Sequence, residues 1–93
     1  MDRYIIKVTD TAKNHLSSLY ASGNKAIIKR IERIFYELSV HPYVGIGKPE
    51  ALKHNFSGYW SRRIDDKNRI VYQVDNKKII VIIITAKGHY LDK

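Results

Sequence analysis

YWSRRIDDKNRIVYQVDNKKIIVIII, at positions 59–84, carries three strand patterns separated by two turn signals. Asp65-Asp66-Lys67-Asn68 and Asp75-Asn76-Lys77 are built from residues whose side chains bond their own backbone, so each favours a reversal over a continued strand. Strands are therefore expected at 59–64, 69–74 and 78–84, joined as an antiparallel meander. The run Ile79-Ile80-Val81-Ile82-Ile83-Ile84 is apolar on both faces. Such a strand belongs in the middle of a sheet, covered by helices on one side and by other chain on the second.

Outward from the meander, positions 3–8 alternate Tyr4, Ile6 and Val8 against Arg3 and Lys7, the period of a half-buried strand, although Ile5 breaks the polar side. This strand is expected to pair beside the apolar run. Thr9 and Asp10 can cap a helix that carries Ala12, Leu16, Leu19 and Tyr20 and stops at Gly23. Asn24 can cap a second helix over 25–40, with Ile27, Ile31, Ile34, Phe35 and Leu38 on one stripe and Lys25, Lys29, Arg33 and Glu37 elsewhere. The fold expected is α+β: an antiparallel-dominated sheet of about four strands with an N-terminal helical hairpin packed on one face.

At 93 residues, with 44% hydrophobic content, the chain is expected to form one domain over 1–93. It has no cysteine. No apolar run approaches the ~20 residues of a membrane span, and no targeting segment is visible, so a soluble, cytoplasmic protein is expected. Seventeen Lys and Arg against nine Asp and Glu leave a formal charge of +8. A field of that sign draws in polyanions, which points to nucleic acid or an acidic protein partner; a merely solubilising charge is the blander alternative.

Positions 41–58 are irregular, broken by Pro42, Gly45, Gly47, Pro49 and Gly58. A loop of this length inside a small domain is usually functional or disordered, and this one is read as functional. Gly45-Ile46-Gly47-Lys48-Pro49-Glu50 is not a nucleotide cradle, because that needs a longer glycine-rich run and then Lys-Ser or Lys-Thr opening a helix, and here Pro49-Glu50 follows the lysine. The glycines instead let the loop turn so that Lys48, Glu50, Lys53 and His54 can face one side of the sheet.

Arg62, Arg63 and Arg69 flank a turn and so crowd together where two strands meet. Alternation puts Tyr59, Ser61 and Arg63 on one face and Trp60, Arg62 and Ile64 on the other. Arg63 is therefore the better site candidate, and Arg62 stays as an RNA contact. His89-Tyr90 offers an imidazole that titrates near neutrality beside a ring that can stack on a base. The four histidines lack metal-site spacing, and no metal or cofactor is expected. A carboxylate, an imidazole and several cations together match acid–base cleavage of RNA.

Lys48-Pro-Glu-Ala-Leu-Lys-His-Asn-Phe-Ser-Gly-Tyr-Trp-Ser-Arg-Arg-Ile64, followed by Asn68-Arg-Ile-Val-Tyr72 and His89-Tyr90, closely resembles the YoeB/Txe toxins of the RelE superfamily, and the likeness runs along the whole chain. The resemblance implies a RelE-like, microbial-RNase-like fold and a bacterial type II toxin that enters the ribosomal A site, cuts messenger RNA and stops translation. It implies a YefM/Axe-like antitoxin partner and operator DNA bound through that complex, and it leaves a homodimer open. Carried over by residue, Glu50 resembles the general base and His89 the general acid, and Arg69 the arginine that stabilises the phosphorane. Arg63 and Lys53 match supporting cations, and Tyr90 the aromatic that closes the site. Lys48, His54 and Arg62 are the expected additional RNA contacts. Leu91, Asp92 and Lys93 follow that tyrosine, a departure from the family pattern. Two other functions stand beside this one: a RelE-fold toxin that binds a protein such as gyrase, and a non-catalytic RNA-binding module.

Overall fold

The computed structural model describes residues 3–78 and 80–86. The chain runs β1 (Ile5–Val8), α1 (Asp10–Ala21), α2 (Lys25–Val40), β2 (Glu50–Ala51), a 3₁₀ turn (His54–Phe56), β3 (Tyr59–Arg63), β4 (Arg69–Asp75) and β5 (Ile80–Thr85). Both helix starts are capped as the sequence predicts. Thr9 Oγ accepts from the Ala12 amide at 3.1 Å and Asn24 Oδ1 from the Ile27 amide at 3.1 Å, each satisfying an amide that the first turn leaves unpaired.

The five strands form one sheet in the order β1-β5-β4-β3-β2. Three pairings are antiparallel, and β1 runs parallel to β5 with Ile5 opposite Ile80 and Val8 opposite Ile83. The apolar strand thus lies inside the sheet, beside the first strand, as expected. The sheet has one strand more than the four expected. β2 is only two residues long, and a pair beside a proline gives no alternation to read.

Asp65 closes the β3–β4 turn by accepting from the amides of Lys67 at 2.8 Å and Asn68 at 2.7 Å. Those bonds outweigh the opposing effect of burial and hold its carboxyl below the usual range. Asp75 does the same for the next turn, accepting from Lys77 and Lys78. Because these turns fix the register, Trp60 sits opposite Tyr72 and Arg62 opposite Ile70, while Ser61 sits opposite Val71 and Arg63 opposite Arg69. The first set faces the helices. Ile64, Ile70, Tyr72, Val81 and Ile83 pack there against Ala12, Ile31, Ile34 and Leu38. The second set belongs to the face that carries no helix among the described residues.

Candidate active site

Glu50 enters that open face through β2, where it pairs with Ser61. Directly paired residues in an antiparallel ladder point to the same side, and so do residues two apart. Glu50, Ser61, Arg63 and Arg69 therefore share one face, with the carboxylate one step along β3 from the paired arginines. Glu50 and Arg63 are exposed, Arg69 is half-buried, and Ser61 is buried between them. Neither arginine has a carboxylate partner among the described residues. Two guanidiniums side by side repel each other, and an anion placed between them relieves that repulsion.

The segment after Glu50 builds a cavity of about 390 Å³, lined by Glu50, Ala51, Leu52, Lys53, His54, Asn55 and Phe56. The Leu52 amide donates to the Tyr59 carbonyl at 2.9 Å, and the 3₁₀ turn closes through Phe56 N to Lys53 O at 3.1 Å and Ser57 N to His54 O at 3.0 Å. His54 has φ +59°, a left-handed conformation that costs energy in any residue with a side chain and is often found where function requires it. Lys48, at φ +52°, shares that strain. It lines a second cavity of about 400 Å³ with Arg30, Gly47, Arg63, Ile64, Asp65 and Asp66. The loop candidates are thus divided between two cavities, Glu50, Lys53 and His54 in one and Lys48 with Arg63 in the other. His89 and Tyr90 lie outside the described residues.

Arg62 corrects the sequence reading. It is wholly buried on the helix side, so it has no surface with which to contact RNA. Its Nη1 donates to Glu37 Oε1 at 2.7 Å and its Nη2 to the carbonyls of His41 at 3.0 Å and Val44 at 2.6 Å. Its Nε reaches Tyr72 Oη at 3.4 Å, and that hydroxyl donates to the Pro42 carbonyl at 2.7 Å. Glu37 Oε1 also accepts from the Ile46 amide at 2.9 Å, and Oε2 takes the Arg33 Nε at 3.1 Å. Burial raises the Glu37 carboxyl, but the Ile46 amide and the two guanidiniums outweigh it and hold the group below its ordinary range. Burial raises the Tyr72 hydroxyl, against the pull of the Arg62 guanidinium.

By its spacing Glu37 falls among the polar residues off the apolar stripe of the second helix, and that spacing does not reveal its pairing with Arg62. The signal was present in the alternation itself. An arginine between Trp60 and Ile64 on a core-facing strand position needs partners for its charge and its donors, and Glu37 is the acid next to Leu38, which lies on the apolar stripe of α2.

Residues 10–90 match the family described as YoeB-like toxin of bacterial type II toxin-antitoxin system. A toxin YoeB from Streptomyces coelicolor is 42% identical over 71 residues, covering 76% of this chain and 82% of that relative. Among solved structures, the heterotetrameric YoeB-YefM toxin-antitoxin complex from Staphylococcus aureus matches with a TM-score of 0.76 at 34% identity, covering 95% of this chain and 99% of that one. A YoeB dimer from the same organism matches with a TM-score of 0.77 at 34% identity and the same coverage.

Proposed function

Because this chain belongs to the YoeB-like toxins of bacterial type II toxin-antitoxin systems, we infer that it is a ribosome-dependent mRNA interferase that cuts the message in the A site and so stops translation. The observation that carries this reading is the open face of the sheet. An exposed carboxylate, Glu50, stands at its edge on the same face as Arg63 and Arg69, two cations with no acid of their own among the described residues.

That arrangement suits attack of a ribose 2′-hydroxyl on the adjacent phosphate. Glu50 takes the 2′-hydroxyl proton as the oxygen bonds to phosphorus, and Arg69 and Arg63 stabilise the charge that grows on the phosphorane. The phosphorus–O5′ bond then breaks and His89 supplies the proton to the departing oxygen. The products are a 2′,3′-cyclic phosphate and a free 5′-hydroxyl. Lys53 is a supporting cation, Tyr90 closes the site, and Lys48 and His54 contact flanking RNA. The +8 charge favours encounter with a polyanionic ribosome in the cytoplasm.

The antitoxin partner is of the YefM kind, a reading supported by the Staphylococcus aureus complex, and operator DNA is bound through such a complex. The dimer from that organism supports self-association of the free toxin. Toeprinting of translating ribosomes tests the central point. The toxin should give a cut within the A-site codon and a 2′,3′-cyclic phosphate end. Ribosomes that stall on an intact message would refute the reading.

A further inference from the structure

β2 has only two residues, so its own ladder cannot fix Glu50 firmly. Its placement depends on what anchors the chain on either side. Downstream the anchor is the Leu52 to Tyr59 bond at the end of the sheet ladder. Upstream it is the loop over 41–48, held by the buried side chains of Arg62 and Tyr72 and the half-buried Glu37 from behind the sheet. The loop then meets the front strand where the Arg63 amide donates to the Gly47 carbonyl at 2.7 Å. Three successive residues of β3 divide the work: Ser61 lies opposite Glu50, Arg62 turns back to hold the loop, and Arg63 shares the face of Glu50.

We propose that Arg62 and Glu37 are positioning residues for RNA cleavage, which hold the loop over 41–48 and thereby set Glu50 and Lys48 against Arg63 and Arg69. The proposal rests on the reading of Glu50 as the base. Two glycines show how closely the loop is seated on the pair. A Cβ at Gly45, with φ +136°, would fall 2.0 Å from Glu37 Oε1 and 2.7 Å from Arg62 Nη1. One at Gly47, with φ +82°, would fall 2.7 Å from the Arg63 carbonyl oxygen. At Gly47 a side chain would collide with the backbone of β3, and at Gly45 it would force the loop or the Glu37 and Arg62 side chains to move. At Gly45 the atoms met are the ends of the Glu37 and Arg62 side chains, so a change there presses on the pair and on the loop together, with no core side chain removed.

The test is single-turnover cleavage of ribosome-bound message by Gly45→Ala and Glu37→Gln, with rate and half-saturating concentration measured separately and folding followed by circular dichroism and thermal melting. A misplaced base lowers the rate and leaves binding alone. The expected result is a loss of about 10- to 100-fold in rate for Gly45→Ala, with half-saturation unchanged within about twofold. Glu37→Gln should lose rate in the same way, and if it does not fold, Gly45→Ala decides. A folded Gly45→Ala with the wild-type rate, or with weakened half-saturation and an intact rate, overturns the proposal. Wild type and Glu50→Gln run alongside: if those two cut equally, it is the assignment of Glu50 that fails.

Discussion

Arg62 and Arg63 are neighbours in sequence and stand on opposite faces of one strand. On the helix side, Arg62 is 0% exposed, and its three guanidinium nitrogens all donate to a carboxylate, two carbonyls or a phenol. On the open side, Arg63 is exposed and sits opposite a second arginine, with no carboxylate partner among the described residues. The same side chain thus serves two ends, and the environment decides which. A buried guanidinium must have its hydrogen bonds satisfied and so acts as an internal fastener. An exposed one that lacks an acid remains free to meet an anion.

Removing each arginine in turn probes that contrast. Arg62→Ala leaves the Glu37 carboxylate half-buried with one cation fewer, strips the Val44 carbonyl of its guanidinium donor and leaves the His41 carbonyl only the Val44 amide at 3.3 Å. Unfolding in urea should show a loss of about 3–5 kcal/mol. A loss under about 1 kcal/mol would mean that the pair contributes little to holding the loop.

Acid probes the same fastener from its other partner. The folded-state pKa of Glu37 lies below its ordinary 4.5, so the pair contributes stability that is fully present above that value and is lost as pH falls through the lower folded value. Asp65, lowered by its own turn, adds to the same acid limb. Urea midpoints should hold steady from about pH 7 to about pH 5 and fall below that, with a shallower acid limb in Glu37→Gln. An unchanged limb in that variant would remove Glu37 from the account. Arg63→Ala should have the smallest effect on folding, within about 0.5 kcal/mol, because it removes an exposed side chain without an acid partner. Its effect should appear instead as slower cleavage of ribosome-bound message. A large loss of stability would show that Arg63, too, is a structural residue.

Most of the fold is legible in the sequence because local chemistry and side-chain period agree. Thr9 and Asn24 cap the helices, Asp65 and Asp75 close the turns, and the isoleucine run takes an interior place in the sheet. What escapes is set by contacts distant in sequence. β2 exists because Glu50 and Ala51 meet Ser61 and Trp60 across the loop, and two residues carry no period. Arg62 reads as one more cation in a basic stretch, and only the helix packed behind the sheet shows that its partner is Glu37. On the open face the alternation sufficed: it put Arg63 with Ser61, and pairing then brought Glu50 and Arg69 to the same side.

On the proposed function, Glu50 does chemistry while the side chains behind it hold the fold. Glu50→Gln keeps the shape and the exposed position but removes the base. Message cleavage on translating ribosomes, compared with the urea midpoint of the same protein, tests the claim directly. The rate should fall by about 10²- to 10⁴-fold with an unchanged midpoint. A variant that cuts at the wild-type rate, or one that loses its activity only because it has lost its fold, would contradict it.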